Sequence, residues 1–143
     1  MTTKIFYLSI NLFFFFSLIG KINAQETKFL TAGEFVNIII FNENEVIIDV
    51  SEWADFKKKR IENATFAENS EQLKIILNNL DREQPILIYC ADGTRSLTAL
   101  SFVEDMQFLQ IFVLRNGLNS WAENLFPIDK NKVKPQIEGR FDE

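Results

Sequence analysis

Three short runs of apolar residues, rich in β-branched side chains, recur through the central part of the chain. They occupy residues 46–48, 86–89 and 111–114. Runs of this length, bounded by polar or turn-forming residues, are typical of buried β-strands. Residues 61–66 leave room for a further short strand. The pattern therefore predicts at least three strands that are buried on both sides.

Segments with a helical spacing of apolar positions lie between these strands. Thr31 and Glu34 have the spacing of a capping box, which predicts a helix that begins there. Ser70 is predicted to cap another helix, and Leu97 is predicted to face inward from a third. The predicted helices span residues 32–41, 53–56, 71–79 and 96–106, with a last short helix from residue 117.

Strands that alternate with amphipathic helices favour a parallel sheet with helices on both faces. We therefore expect an α/β fold with a small, open parallel sheet of about four to five strands. In such sheets, ligands bind at the carboxyl ends of the strands. Cys90 comes directly after one apolar run, and Asp49 comes directly after another. Both residues are thus expected at the edge where a site forms, with Asp49 in a structural role.

The first 24 residues differ from the rest of the chain. Lys4 precedes an apolar run of about 15 residues, and the small residue Ala24 stands at a suitable cut site, which is the layout of a secretory signal peptide. The predicted organisation is a signal peptide over residues 1–24 and one domain over residues 25–143, which ends in a polar, irregular tail from Pro127. We expect export to the periplasm or the medium, or a membrane anchor if the leader is not cleaved.

Histidine is absent and cysteine occurs once among the 143 residues. The absence of histidine excludes catalysis by a Ser-His-Asp or Cys-His arrangement. A single cysteine excludes an internal disulfide and a cysteine-based metal cluster, so no metal site is predicted. The formal net charge of -5 argues against a nucleic-acid partner. The basic run at residues 57–60 is interpreted as a solvated face.

The segment after the second apolar run has the composition of a nucleophile in an anion-binding loop. Cys90 would react as a thiolate, which is stabilised at a helix N-terminus. Gly93 permits the positive φ of a tight turn whose consecutive N–H groups bind an anion. Arg95 adds a cation suited to an oxyanion, and Ser96 adds a hydroxyl or a helix cap. We therefore predict that Cys90 is a catalytic nucleophile.

Residues 89–96 resemble the active-site loop of the rhodanese family. Three other segments resemble elements of that family, in the same order along the chain. These are residues 46–50, residues 60–64, and residues 114–117 with Trp121. The similarity covers roughly residues 28–127 and implies a rhodanese-like fold.

This resemblance implies a sulfurtransferase that requires no cofactor. Cys90 takes the outer sulfur of a small anionic donor such as thiosulfate, holds it as a persulfide and passes it to a thiol or cyanide. Loop N–H groups and the Arg95 side chain are implied to bind the donor; the implied substrate-binding residues are Ala91, Asp92, Gly93, Thr94, Arg95 and Ser96. With no second cysteine, the acceptor must be an external small molecule or protein. We expect a monomer.

Other functions stay open at this point. One is a catalytically weak module of the same family that binds a partner or senses redox state through Cys90. Less favoured are a small phosphatase and an arsenate reductase. Only four residues separate Cys90 from Arg95, fewer than in phosphatases of similar fold, and the missing second cysteine counts against arsenate reduction.

The chain departs from the pattern of the rhodanese family at four positions. Ser51 stands where the family commonly has arginine, Arg60 replaces the usual histidine, and Asn63 replaces the usual glycine. Asp92 places a carboxylate inside the loop, where it is expected to oppose thiolate formation and repel an anionic donor. Its alternative role is that of a turn residue facing solvent.

Overall fold

The computed structural model describes residues 24–133, in which five strands and five helices succeed one another along the chain. The strands are β1 (Glu26–Leu30), β2 (Val46–Asp49), β3 (Thr65–Phe66), β4 (Ile86–Tyr89) and β5 (Gln110–Leu114). The helices are α1 (Ala32–Phe41), α2 (Trp53–Lys58), α3 (Ser70–Asn78), α4 (Thr94–Asp105) and α5 (Gly117–Glu123). The predicted signal peptide, apart from Ala24, lies outside the described residues, and so do residues 134–143 of the predicted tail.

The strands form one open sheet in the order β1-β5-β4-β2-β3, and every neighbouring pair is parallel. This confirms the predicted α/β fold. The central strand β4 is buried along its whole length, as its uniformly apolar sequence requires. The sequence did not reveal β1, because it is a largely exposed edge strand without a continuous apolar run.

Helices cover both faces of the sheet, as predicted. Helices α3 and α4 pack on one face through Leu73, Leu77 and Val103, in the same core cluster as Cys90. Helices α1 and α5 pack on the other face through Phe35 and Trp121. The sheet is therefore the middle layer of three. Among residues 24–133, no helix is both long and apolar enough to cross a membrane.

Two details of the predicted helices are wrong. Asn69, rather than Ser70, caps α3, because its side chain accepts a hydrogen bond from the N–H of Gln72. Helix α4 begins earlier than predicted, and Leu97 is 55% exposed instead of facing inward. Ser96 and Val103 are the buried positions of α4, and their spacing of two helical turns directs Leu97 away from the core.

The basic run at residues 57–60 is not uniformly solvated. Arg60 is only 9% exposed, and its guanidinium pairs with the Asp129 carboxylate and stacks over the ring of Phe56. Backbone hydrogen bonds also join Arg60 to Asp129 in an antiparallel bridge. The part of the predicted irregular tail around Asp129 thus packs against the domain, where its carboxylate pairs with the buried Arg60.

Candidate active site

Cys90 lies at the carboxyl end of the central strand β4, just before α4. Its side chain is 0% exposed. The backbone N–H groups of Gly93 and Ser96 both point at the sulfur, with N–Sγ distances of 3.2 and 3.4 Å. The hydroxyl of Ser96 is 3.8 Å from Sγ. Three polar groups from the start of one helix therefore surround a single thiol.

Gly93 makes this arrangement possible. Its φ is 95°, in the left-handed region that a side chain disfavours, as the sequence predicted. This conformation turns the chain sharply, so the N–H groups at the beginning of α4 face back toward the end of β4. The Ser96 hydroxyl donates to the carbonyl of Gly93 at 2.8 Å and secures the turn. The resulting loop directs N–H donors from the start of α4 at Sγ, where they can bind an anionic ligand.

The other side of the loop rests on the start of α5. The N–H groups of Leu118 and Asn119 donate to the carbonyls of Cys90 and Ala91, at 2.8 and 3.0 Å. A Cβ on Gly117 would lie 2.2 Å from the carbonyl oxygen of Cys90, so only glycine allows this approach. Gly117 itself has a φ of 58°. The sequence identified Gly117 as part of a resemblance, but gave no sign that it lies beneath the loop.

Arg95 fixes the loop to the neighbouring turns. Its Nε donates to the carbonyl of Val50 at 2.7 Å, and one terminal nitrogen donates to the carbonyl of Glu68 at 2.6 Å. These carbonyls come after β2 and β3, so Arg95 links three turns at the carboxyl edge of the sheet. The structure gives Arg95 a positioning role that the sequence did not indicate. Donor binding by Arg95 stays a prediction.

Asp92 is exposed at the mouth of the loop. Its Oδ1 accepts a hydrogen bond from the N–H of Thr94 at 2.9 Å and lies 3.7 Å from the sulfur of Cys90. The hydrogen bonds from Thr94, chiefly from its backbone, hold the pKa of the Asp92 carboxyl below its usual range. The side chain thus closes a turn and also lies beside the thiol, whereas its expected effects on thiolate formation and on an anionic donor stay predictions.

Asp49 is buried, but its side chain lies apart from that of Cys90. Its Oδ1 accepts a hydrogen bond from the N–H of Ser51 at 2.8 Å, and its Oδ2 is buried without a hydrogen-bond partner among residues 24–133. Burial raises the pKa of this carboxyl. Asp49 pairs in register with Tyr89, so its side chain and that of Cys90 face opposite sides of the sheet. Asp49 shapes the turn that presents the Val50 carbonyl to Arg95.

The remaining departures from the rhodanese pattern have structural explanations. Asn63 has a φ of 62°, so it occupies a left-handed position, which asparagine tolerates better than most residues. Ser51 is buried in the Asp49 turn, and Arg60 is held by Asp129, distant in sequence. In the part of the chain that the structure describes, no group of three or more histidine, cysteine, aspartate or glutamate side chains could hold a metal ion.

Two clefts flank the loop. One, of about 340 Å³, lies between α3 and α4 and is lined by Arg95, Glu68 and Phe102 among others. The second, of about 260 Å³, adjoins Asp92 and is lined by Phe29 and Leu97. Both combine apolar surface with a few charged groups, a composition suited to small ligands.

Known proteins resemble this chain in sequence. The uncharacterized protein YibN of Escherichia coli (strain K12) is 26% identical over 110 residues, which is 76% of this chain and 76% of that protein. The thiosulfate sulfurtransferase GlpE of Coxiella burnetii (strain RSA 331 / Henzerling II) is 26% identical over 87 residues, which is 61% of this chain and 80% of that enzyme.

The fold also matches a solved structure, and a family profile matches most of the described residues. A rhodanese-related protein from Thermoplasma volcanium superposes with a TM-score of 0.62 at 22% identity, over 73% of this chain and 99% of that one. The profile of the Rhodanese-like domain matches residues 31–124, from the cap of α1 to the end of α5. This match includes the whole Cys90 loop, the turns after β2 and β3 that Arg95 contacts, and the start of α5 that lies against the loop. The chain therefore belongs to the Rhodanese-like domain family.

Proposed function

We propose that this chain is a sulfurtransferase that carries sulfane sulfur on Cys90. The observation that carries the proposal is the pair of N–H groups, from Gly93 and Ser96, that donate to Sγ at 3.2 and 3.4 Å. These donors can hold an anionic sulfur in a chain without histidine. The similarity to GlpE, which is named as a thiosulfate sulfurtransferase, supports the same activity.

The proposed reaction consists of two displacements at sulfur. The Cys90 thiolate attacks the outer sulfur of thiosulfate and forms an S–S bond. The bond between the two thiosulfate sulfurs breaks, and its electron pair leaves with sulfite. Cyanide or a thiolate then attacks the terminal sulfur of the persulfide, and Cys90 leaves as a thiolate. Between the steps, the N–H groups at the start of α4 stabilise the anionic persulfide.

The second displacement requires an acceptor from outside the chain. Cys90 is the single cysteine, so no thiol of this protein can resolve the persulfide. The two clefts beside the loop offer room for a small thiol or for the end of a protein segment. We infer that the physiological acceptor is an external thiol, and that cyanide serves as its laboratory substitute.

A catalytically weak module is the second candidate, and two features favour it. The Cys90 side chain has no exposed surface, and a carboxylate oxygen lies 3.7 Å from its sulfur. Both features slow attack on an anionic donor. In that case the domain would bind a partner, or sense oxidants, through the same loop.

Turnover separates the two candidates. Formation of thiocyanate from thiosulfate and cyanide is measured with the unaltered protein and with Cys90→Ser, and an aryl phosphate serves as a control substrate. A sulfurtransferase forms thiocyanate, loses this activity in Cys90→Ser and leaves the phosphate intact. Thiocyanate formation no faster than the uncatalysed rate contradicts the proposal and favours the weak module.

We further propose that the mature domain is exported as a monomer after its leader is removed. The apolar run and the small residue at Ala24 support this organisation. The intact mass of the protein recovered from the exported fraction tests it. A mass that corresponds to a start at Gln25, with monomeric behaviour in solution, agrees with the proposal. A full-length mass in the membrane fraction contradicts it.

A further inference from the structure

The carboxylate of Asp92 occupies part of the anion-binding loop. Its Oδ1 takes the hydrogen bond of the Thr94 N–H at 2.9 Å, one of the donors expected to bind a substrate anion. The same oxygen lies 3.7 Å from the sulfur of Cys90. The side chain is exposed, so an incoming donor meets a negative charge immediately beside the nucleophile.

No ion pair neutralises this charge within residues 24–133, since no lysine or arginine nitrogen lies within 4.0 Å of the Asp92 carboxylate. Arg95, the arginine of the loop, donates instead to the carbonyls of Val50 and Glu68. The hydrogen bonds from Thr94 lower the pKa of Asp92, so its carboxyl is ionised at neutral pH. The loop thus presents an ionised carboxylate without an ion-pair partner in the described residues, although its backbone N–H groups favour anions.

The cleft of about 260 Å³ beside Asp92 provides apolar surface next to this charge; Arg115 also lines it, and its guanidinium donates to the carbonyl of Phe29. Phe29 and Leu97 line it and are 42% and 55% exposed. An inorganic dianion gains nothing from apolar walls. A donor with a short hydrocarbon arm and a cationic group can place the arm in the cleft and the cation beside the carboxylate.

We propose that Asp92 is a specificity-determining residue that disfavours dianionic sulfur donors and selects organic donors with an ammonium group near the transferable sulfur. The proposal rests on the sulfurtransferase function and names the substrate class of the same site. Like charges repel thiosulfate at the mouth of the loop, whereas an ammonium group pairs with Asp92. Thiosulfate is accordingly a poor substitute for the natural donor.

Two donors that share one reacting bond isolate this effect. Thiosulfate is a dianion, whereas aminoethanethiosulfonate carries one ammonium and one negative charge. In each, the Cys90 thiolate bonds to the outer sulfur, and the bond from that sulfur to the oxidised sulfur breaks. The electron pair leaves with sulfite from thiosulfate, or with aminoethanesulfinate from the organic donor. Both reactions leave the same persulfide on Cys90, so their rates are directly comparable.

The test compares kcat/KM for the two donors in the unaltered protein, in Asp92→Asn and in Asp105→Asn. Asparagine keeps an oxygen that accepts from Thr94, so the turn is preserved while the charge is removed. Asp105 is exposed at the far end of α4, so its variant has the same change in net charge. We expect the preference for the ammonium donor to fall about tenfold or more in Asp92→Asn and to stay unchanged in Asp105→Asn. An equal preference in all three proteins overturns the proposal.

A second readout does not depend on sulfur transfer. Iodoacetate and iodoacetamide alkylate the same thiol and differ by one negative charge. We expect the ratio of their rates at Cys90 to rise severalfold in Asp92→Asn. A ratio that does not change contradicts a role for the Asp92 charge. If the alkylation ratio rises but neither donor forms a persulfide in any variant, the sulfurtransferase function fails and the donor specificity fails with it.

Discussion

The turns after β2 and β4 lie side by side in the sheet but differ in chemistry. Both follow buried apolar strands, and each has a buried ionisable residue at the strand end, since Asp49 is the last residue of β2 and Cys90 comes directly after β4. The Cys90 sulfur has two N–H donors and a hydroxyl around it. Asp49 has one N–H donor from its own turn, and one of its oxygens has no partner in the described part of the chain.

The two turns differ in chemistry because different segments follow the two strands. Strand β4 leads into α4 through the left-handed turn at Gly93, so the free N–H groups of a helix start converge on the residue at the strand end. Strand β2 leads into a turn that is closed by Asp49 itself. A strand end at the carboxyl edge is therefore not enough to form a site. A site forms at Cys90 because the N–H groups at the start of α4 point at its side chain.

Of the substitutions considered, Gly117→Ala should disturb the Cys90 loop most severely. The new Cβ would overlap the carbonyl of Cys90, and the residue would keep a left-handed φ. We expect the free energy of unfolding to fall by about 2–4 kcal/mol. Sulfur transfer should fall about hundredfold, because the loop is displaced by a large fraction of an ångström.

Gly33→Ala is the matched control for this substitution, measured by denaturant unfolding and by turnover. Gly33 lies in α1, and a Cβ there meets nothing within 4 Å. We expect the free energy of unfolding to rise by about 0.5 kcal/mol and the rate of sulfur transfer to stay unchanged. Equal effects of the two substitutions on turnover would show that Gly117 does not support the loop.

Arg95→Lys should weaken the link between the Cys90 loop and the turns after β2 and β3. Lysine cannot reproduce the paired donation to Val50 and Glu68. We expect a loss of about 1–3 kcal/mol in stability and about tenfold in kcat. Arg82→Lys removes similar bonds, to the carbonyls of Leu77 and Leu80, at the other end of the sheet. It should lower stability without changing turnover, and a similar loss of kcat would contradict a specific role for Arg95.

The two aspartates should affect the pH dependence of stability in opposite directions. The pKa of Asp49 is raised by burial, so its folded form retains the proton, and the free energy of unfolding falls as pH rises from the ordinary pKa of 3.8 through the raised value. The pKa of Asp92 is lowered by hydrogen bonds from Thr94. Its stabilisation is present above 3.8 and is lost as pH falls through the lowered value.

Denaturant unfolding of Asp49→Asn and Asp92→Asn across this pH range measures both effects. Relative to the unaltered protein, Asp49→Asn should gain stability with rising pH, whereas Asp92→Asn should lose it. Turnover should change little in Asp49→Asn, since its side chain faces away from Cys90. If the difference in free energy of unfolding from the unaltered protein changed with pH in the same direction for both variants, the environments assigned to Asp49 and Asp92 would be contradicted.

Local sequence patterns predicted the parts of the site that depend on neighbours along the chain. The apolar runs indicated the buried strands, and Gly93 after Cys90 indicated the left-handed turn, although the helix after it begins two residues earlier than predicted. Alternation along a strand also separates Asp49 from Cys90, but only once the register with Tyr89 is known. Sequence alone placed both residues at one edge without separating their faces.

Features that depend on distant partners could not be predicted. The burial of Arg60 depends on Asp129, and the support of the Cys90 carbonyl depends on Gly117. The direction of the Arg95 side chain depends on the carbonyl of Val50, which belongs to another turn. No local pattern records these contacts, because each joins segments that only the folded sheet brings together.

The central claim is that the sulfur of Cys90, held by the N–H groups of Gly93 and Ser96, is the atom that accepts sulfur. Its most direct test is intact-mass and peptide-mass analysis after exposure to thiosulfate and, separately, to aminoethanethiosulfonate, and again after cyanide. We predict a gain of one sulfur atom on Cys90, its removal by cyanide, and no gain in Cys90→Ser. A protein that gains no sulfur, or a Cys90→Ser variant that still gains it, would contradict the account.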